Sequence, residues 1–140
     1  MQIDALTVVH SLDDRQIEQL HALYQAEWWT KGRSLDDTRR CVSGSQIVVG
    51  LVDSAGDLRA FARVITDFTF KALIFDVIVS VAARKSGLGD RLLQVITQHD
   101  KLRHIRHFEL YCLPELFAFY KRHGFCENVG EVHLMRRVTG

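Results

Sequence analysis

Apolar residues recur along the chain with two periods. Ile17, Leu20, Leu23 and Tyr24 fall at helical spacing and predict a helix over residues 13–28. A second helix is expected to start at Ser34, whose hydroxyl is a natural cap. Asp37 stands three residues on, where a capping box asks for an acid. β-Branched residues over 3–9 predict a first strand. Residues 46–52 and 58–66 read as the two strands of a hairpin, joined by the turn residues Asp53-Ser-Ala-Gly-Asp57. Residues 72–81 are almost continuously apolar, the pattern of a strand buried on both faces. A helix is then expected to run to about His99, followed by a strand over 108–112. Another helix is expected over 114–123, with Pro114 near its start and Gly124 just past its end. Residues 126–129 and 131–137 read as closing strands. This order predicts a mixed α/β sheet with helices on both faces.

Composition narrows the class. A chain of 140 residues suggests one domain, 1–140, able to bury a sizeable core. Apolar residues make up 47% and charged residues 25%, as in ordinary globular proteins. A net charge of +1 argues against a broad nucleic-acid footprint. No apolar run approaches a membrane span, and the start of the chain lacks the pattern of a secretory signal. Cys41, Cys112 and Cys126 are widely spaced and form neither a CxxC pair nor a zinc pattern. Reduced thiols in the cytoplasm are the expectation. The seven histidines are scattered, and no metal is expected.

The stretch VAARKSGLGDRLL, from Val81 to Leu93, places two glycines where a strand hands over to a helix. A helix N-terminus leaves backbone N–H groups unpaired and carries partial positive charge. A glycine loop that feeds such an end can fold closely around a phosphate. Arg84, Lys85, Ser86, Gly87, Leu88 and Gly89 would supply the amides, with Asp90 following in the first helical turn. Arg84 and Lys85 would add charge. Taken alone, the loop is read more simply as a tight turn that needs glycine. It is not a P-loop, since no Lys-Ser or Lys-Thr follows the glycines, and Leu92 stands where a dinucleotide fingerprint has its third glycine.

A second element changes that balance. Tyr120-Lys-Arg-His-Gly-Phe125 follows on a predicted helix, after a strand. Together RKSGLG and YKRHGF, in this order and at this separation, resemble the GNAT superfamily of N-acetyltransferases. The hairpin IVVGLVDSAGDLRAFARVI also resembles that family's second and third strands. The resemblance covers about residues 46–125. It implies a mainly antiparallel mixed sheet, splayed between its fourth and fifth strands and flanked by helices. It also implies acetyl-CoA as co-substrate, with its pyrophosphate on the loop from Arg84 to Asp90. Backbone groups of Val77, Ile78 and Val79 would pair with the pantetheine arm, and the Val79 N–H would face the thioester oxygen. Direct transfer to a primary amine in a ternary complex follows from the same resemblance.

Such transfer needs a neutral amine, a donor for the oxyanion and a proton for the departing thiolate. Tyr120 matches the family's position for the general acid, although Leu116 and Phe117 leave it equally able to pack on an apolar helix face. Glu109, on the preceding strand, is the first candidate for the base, directly or through water. Asp76 sits inside the most apolar strand, where an unpaired charge is costly. It is either paired, with Arg63 across the hairpin as the natural partner, or functional. The family often carries an asparagine near the start of the last helix, where this chain has Leu113-Pro114-Glu115. Cys112 reads as a small buried thiol.

The acceptor wall is expected in the connection Ala26-Glu-Trp-Trp-Thr-Lys-Gly-Arg33. Adjacent tryptophans on a helix point in different directions, so one of Trp28 and Trp29 would be core and the other would cover a substrate amine. Glu27 could attract the cation. The acceptor is left as a small-molecule or peptide amine, with neither nucleic acid nor membrane as a partner and with a homodimer open. The rival class is a non-catalytic acyl-CoA-binding module, which needs RKSGLG but neither Tyr120 nor a base.

Overall fold

A computed structural model describes residues 5–140. Five strands form one sheet in the order β1-β2-β3-β4-β5: β1 Thr7–Val9, β2 Ile47–Val52, β3 Leu58–Thr66, β4 Lys71–Val79 and β5 His107–Leu110. The first four pair antiparallel, and β5 joins β4 in parallel. Among the described residues four α-helices, with short 3-10 turns between elements, complete the fold: α1 Asp14–Gln25, α2 Leu35–Ser43, α3 Leu88–Thr97 and the short α4 Phe117–Lys121. Ile3, expected in the first strand, lies outside the described residues.

The sheet has a core on each face. Val49, Leu51, Ala62 and Val64 pack with Leu92, Leu93 and Ile96 of α3 on one side. Val48, Phe61 and Ile78 pack with Leu20 and Tyr24 of α1 on the other. Every residue of β2 is buried, so the strand covered on both faces is β2 and not β4. In β4 buried and half-buried residues alternate, which corrects the expectation from its apolar run. Such a run specifies burial only where helices cover both faces.

Helix starts follow their side chains. Asp13 accepts the amide of Gln16 while the Gln16 side chain receives the amide of Asp13, a reciprocal capping box. Ser34 accepts the amide of Asp37 at 2.9 Å, as the sequence predicts. α1 ends at Gln25, short of the expected Trp28. There the Thr30 hydroxyl, fully buried, donates to the carbonyl of Tyr24 at 2.8 Å, adding to the longer bond from the Glu27 amide at 3.4 Å. The closing strands are absent: among the described residues, 126–140 contain no hydrogen-bonded strand. Alternation alone does not make a strand; a partner edge must be present.

Candidate active site

β4 carries a bulge at its middle. Arg63 lies opposite Phe75 and Phe61 opposite Ile78, so three steps on β4 match two on β3. Asp76 sits in the bulge with φ of 56°, a left-handed conformation that is uncommon without glycine. Its carboxylate is buried and accepts from three side chains. Tyr24 Oη lies at 2.9 Å, Arg63 Nε at 2.7 Å, and Arg33 at 2.7 and 3.2 Å through its two terminal nitrogens. Burial alone would raise the Asp76 pKa, but the hydrogen bonds and charges of Arg33 and Arg63 outweigh it and hold the carboxyl below the usual range. Burial, with Asp76 beside it, pushes the Tyr24 phenol well above its ordinary value. A carboxylate engaged by two guanidinium groups and a phenol is not a free base. Of the two readings left by the sequence, the structure shows pairing, with Arg63 joined by Arg33 and Tyr24.

Past the bulge, β4 loses one neighbour. Its pairing with β5 ends at Ile74 and Leu110, while β4 runs on to Val79 beside β3 alone. The divergence opens a cleft of about 960 Å³. Residues 74–79 form one wall, and residues 110–113 with Glu115, Leu116 and Tyr120 form the other. The Ser80 N–H donates to the Arg59 carbonyl on β3 at 2.8 Å. Strand alternation therefore turns the backbone of Val79 the other way, into the cleft, where Arg84 Nε meets its carbonyl at 3.4 Å.

The loop after β4 leads to the start of α3. Gly87 is the N-cap, with φ of 77°, and no side chain caps the first turn. A bulkier residue would be strained there. A Cβ on Gly89 would stand 3.1 Å from the ring of Phe119, so that glycine lets α4 pack close to the loop. Lys85 also has a positive φ, of 66°. The amides at this end are thus left without a capping side chain, as a phosphate-binding end requires. Arg84 forms an ion pair with Glu27 and links this loop to the connection after α1. The Leu88 side chain is buried in the core, so only its backbone is available to a ligand. Asp90 points elsewhere: its carboxylate lies 2.9 Å from Arg122 Nη2 and 2.7 Å from His123 Nε2. His123 first, with Arg122, holds its pKa low. Its side chain ties α3 to the end of α4.

Tyr120 is buried against Phe119 and Phe125, yet it lines the cleft. Its hydroxyl has no hydrogen-bond partner among the described residues. Burial, then the neighbouring Cys112, push its pKa up to about 12. The phenol therefore stays protonated at neutral pH. Full proton transfer from such a phenol to a thiolate, whose conjugate acid has a pKa of roughly 8.5, would be uphill, whereas donating a hydrogen bond would not.

Glu109 is not brought to Tyr120. It pairs in register with Leu73, forms an ion pair with Lys71 at 3.0 Å and lines a separate groove of about 320 Å³. The strand register explains this, since Glu109 precedes the point of divergence. Carboxylates that do line the cleft are Glu27, Asp76 and Glu115. The two tryptophans also line it, but from a loop of turns and not from a helix. Both are exposed, Trp28 at 73% and Trp29 at 41%, so neither is a core anchor. Arg33, which lies over the Tyr24 ring at 4.5 Å, and Arg136 are cleft residues that the sequence reading did not single out. A lone aspartate in an apolar strand was the signal for Arg33, because a buried charge calls for more than one donor.

The family model for acetyltransferases of the GNAT family matches residues 10–125, and the chain belongs to that family. An N-acetyltransferase of Pyropia yezoensis, described as uncharacterized, is 28% identical over 113 residues, covering 79% of this chain and 64% of that protein. The chain thus spans less than two thirds of that relative's length. Serotonin N-acetyltransferase 2 of Oryza sativa, a chloroplast protein, is 32% identical over 97 residues, covering 66% of this chain and 48% of that one. A solved GNAT-family structure from Xanthomonas campestris superposes with a TM-score of 0.80 at 29% identity, over 95% of this chain and 94% of that one. A Deinococcus radiodurans structure gives 0.81 at 20% identity, over 98% and 92%, a likeness of fold. The mixed sheet, parallel between β4 and β5 and flanked by helices, is the GNAT fold. No helix among the described residues is long and apolar enough to cross a membrane.

Proposed function

We propose that the protein moves an acetyl group from acetyl-CoA to a primary amine by direct transfer in a ternary complex. One observation carries this reading. The free side of β4 leads from the cleft to the uncapped start of α3, and a buried phenol whose hydroxyl has no partner among the described residues stands in the same cleft. Acetyl-CoA supplies an acyl group activated as a thioester. The loop amides from Ser86 to Gly89, with Lys85 beside them, hold its pyrophosphate. The free backbone of Val77 and Val79 receives its arm as an added strand, and the Val79 N–H stabilises the oxyanion. Tyr120 donates to the leaving sulfur.

The acceptor enters past Trp28 and Trp29, whose exposed rings offer apolar and cation–π contact. Glu27 and Glu115 draw the ammonium and take its proton through water, because the amine must be neutral to attack. Asp76 holds the bulge in place and does not receive the proton. The test is turnover of acetyl-CoA, read as thiol release, against a panel of primary amines. Amine-dependent release supports the proposal. Tight CoA binding without release in any arm would make the protein an acyl-CoA-binding module.

A further inference from the structure

Charge at the bulge does not balance. Asp76 is a single carboxylate, and two guanidinium groups share it, Arg33 at 2.7 Å and Arg63 at 2.7 Å. Neither arginine has a second acidic partner among the described residues. Tyr24, the remaining donor, is a neutral phenol. The cluster therefore holds one positive charge more than its carboxylate offsets. The side chains of Asp76 and Arg63 are only 4% and 14% exposed, so water does little to screen them. Arg33 is the member that opens to the outside. Charge held away from water calls for a counter-charge.

Arg33 opens on the cleft, and Arg136 lines the same cleft without an ion pair among the described residues. The remaining arginine of the lining, Arg84, is matched by Glu27. Glu115 is the lining carboxylate left without an ion pair among the described residues. The cleft thus offers unmatched positive charge from Arg33 and Arg136 and unmatched negative charge from Glu115. That is the complement of a zwitterion, with a carboxylate for the ammonium and guanidinium groups for an anion. An amine without an anion would leave the excess at Arg33 unanswered.

The strand sets the spacing. In the transfer reading the reacting carbonyl lies at the Val79 amide, while Arg33 is anchored at Asp76, three residues earlier on β4. A strand rises about 3.3 Å per residue, so the two points lie up to roughly 10 Å apart. In an α-amino acid the amine and the carboxylate share one carbon and do not span this.

We propose that the acceptor is an ω-amino acid, an amine whose carboxylate lies several bonds away and is received by Arg33 and Arg136. The inference rests on the acetyl-transfer reading and names its substrate class. A carboxylate fits better than a phosphate dianion, because the excess at the bulge is a single charge.

The test is thiol release from acetyl-CoA with ω-amino acids of rising chain length, glycine first, each set against the alkylamine of the same length. The ratio of kcat/KM, carboxylated over plain, is expected to peak above glycine at about tenfold, the weight of one charged hydrogen bond. The gain should fall in KM, because the carboxylate is bound equally before and during transfer. Arg33→Gln leaves Asp76 paired with Arg63 alone, so the variant should fold and bring the ratio near one. If it does not fold, Arg136→Gln takes its place, with a partial loss of the ratio expected. A wild-type ratio of one or less at every length, or a peak at glycine, would overturn the proposal while amine acetylation stands. So would a ratio that the folded variant does not lower, or aminoalkyl phosphates that outdo the carboxylates. If no amine gives thiol release, the acetyl-transfer reading fails, and calorimetric titration of the same pairs into the CoA complex decides the carboxylate site. That site stands if ω-amino acids bind more tightly than alkylamines, and it falls if they do not.

Discussion

The two halves of β4 have the same strand on one side and different surroundings on the other. Residues 71–74 lie between β3 and β5; residues 75–79 lie beside β3 only. The first half spends its backbone groups on the sheet, while the second half keeps one side for the cleft. Helix starts repeat the contrast. Ser34 closes the start of α2 with its own hydroxyl, and Gly87 leaves the start of α3 open. Unpaired buried backbone is costly, so a fold keeps such groups only where water or a ligand can reach them. That difference separates the scaffold from the site.

The largest expected loss comes from the bulge at which the halves part. Asp76→Asn leaves Arg33 and Arg63 facing a neutral group. Breaking a buried pair costs roughly 3–5 kcal/mol. The low end is expected, because the Arg33 side chain is 30% exposed. Melting curves against pH sharpen the point. The folded pKa of Asp76 is depressed, so its contribution is fully present above the ordinary carboxylate range near 4 and is lost as pH falls through the lower folded value. The melting difference between wild type and Asp76→Asn should therefore shrink in acid. A constant difference would mean that the ion pairs do not hold the bulge.

Tyr120→Phe keeps the packing on Phe119 and Phe125 and removes only the hydroxyl. A fall in kcat of about 10²-fold is expected, the low end for losing one hydrogen-bond donor to developing charge, with CoA affinity unchanged. Wild-type kcat would return Tyr120 to a packing role.

Gly87→Val forces a β-branched residue to a positive φ, at a cost of roughly 1–2 kcal/mol. The rise in melting temperature that CoA gives wild type should vanish in this variant. Ser34→Ala is its counterpart, with a smaller effect. It should cost about 1 kcal/mol and leave the CoA-induced rise unchanged, because that end of a helix is already satisfied within the chain. Equal loss of the CoA effect in both variants would erase the distinction between the two helix starts.

Much of this contrast is written in local chemistry and was legible in the sequence. Ser34, the hairpin turn at 53–57, the glycine loop and the pairing of Asp76 with Arg63 all depend on a few neighbouring residues or on one register. What was not legible depends on distant parts. The position of Glu109 follows from where two strands diverge. The loop that carries Trp28 and Trp29 follows from the hold of Thr30 on the end of α1. The bulge that lets Arg33 reach Asp76 is a one-residue slip that leaves no periodic trace. The closing segment has the alternation of a strand, but an edge to receive it is a property of the assembled sheet.

The central claim is that CoA binds the half of β4 that lacks β5 and the uncapped start of α3. Amide hydrogen exchange with and without CoA tests it most directly. Slowed exchange is expected at 77–79 and 86–90, with 71–74 and the first turn of α2 unchanged. CoA binding that slows exchange elsewhere and leaves both of those segments unaltered would contradict the claim.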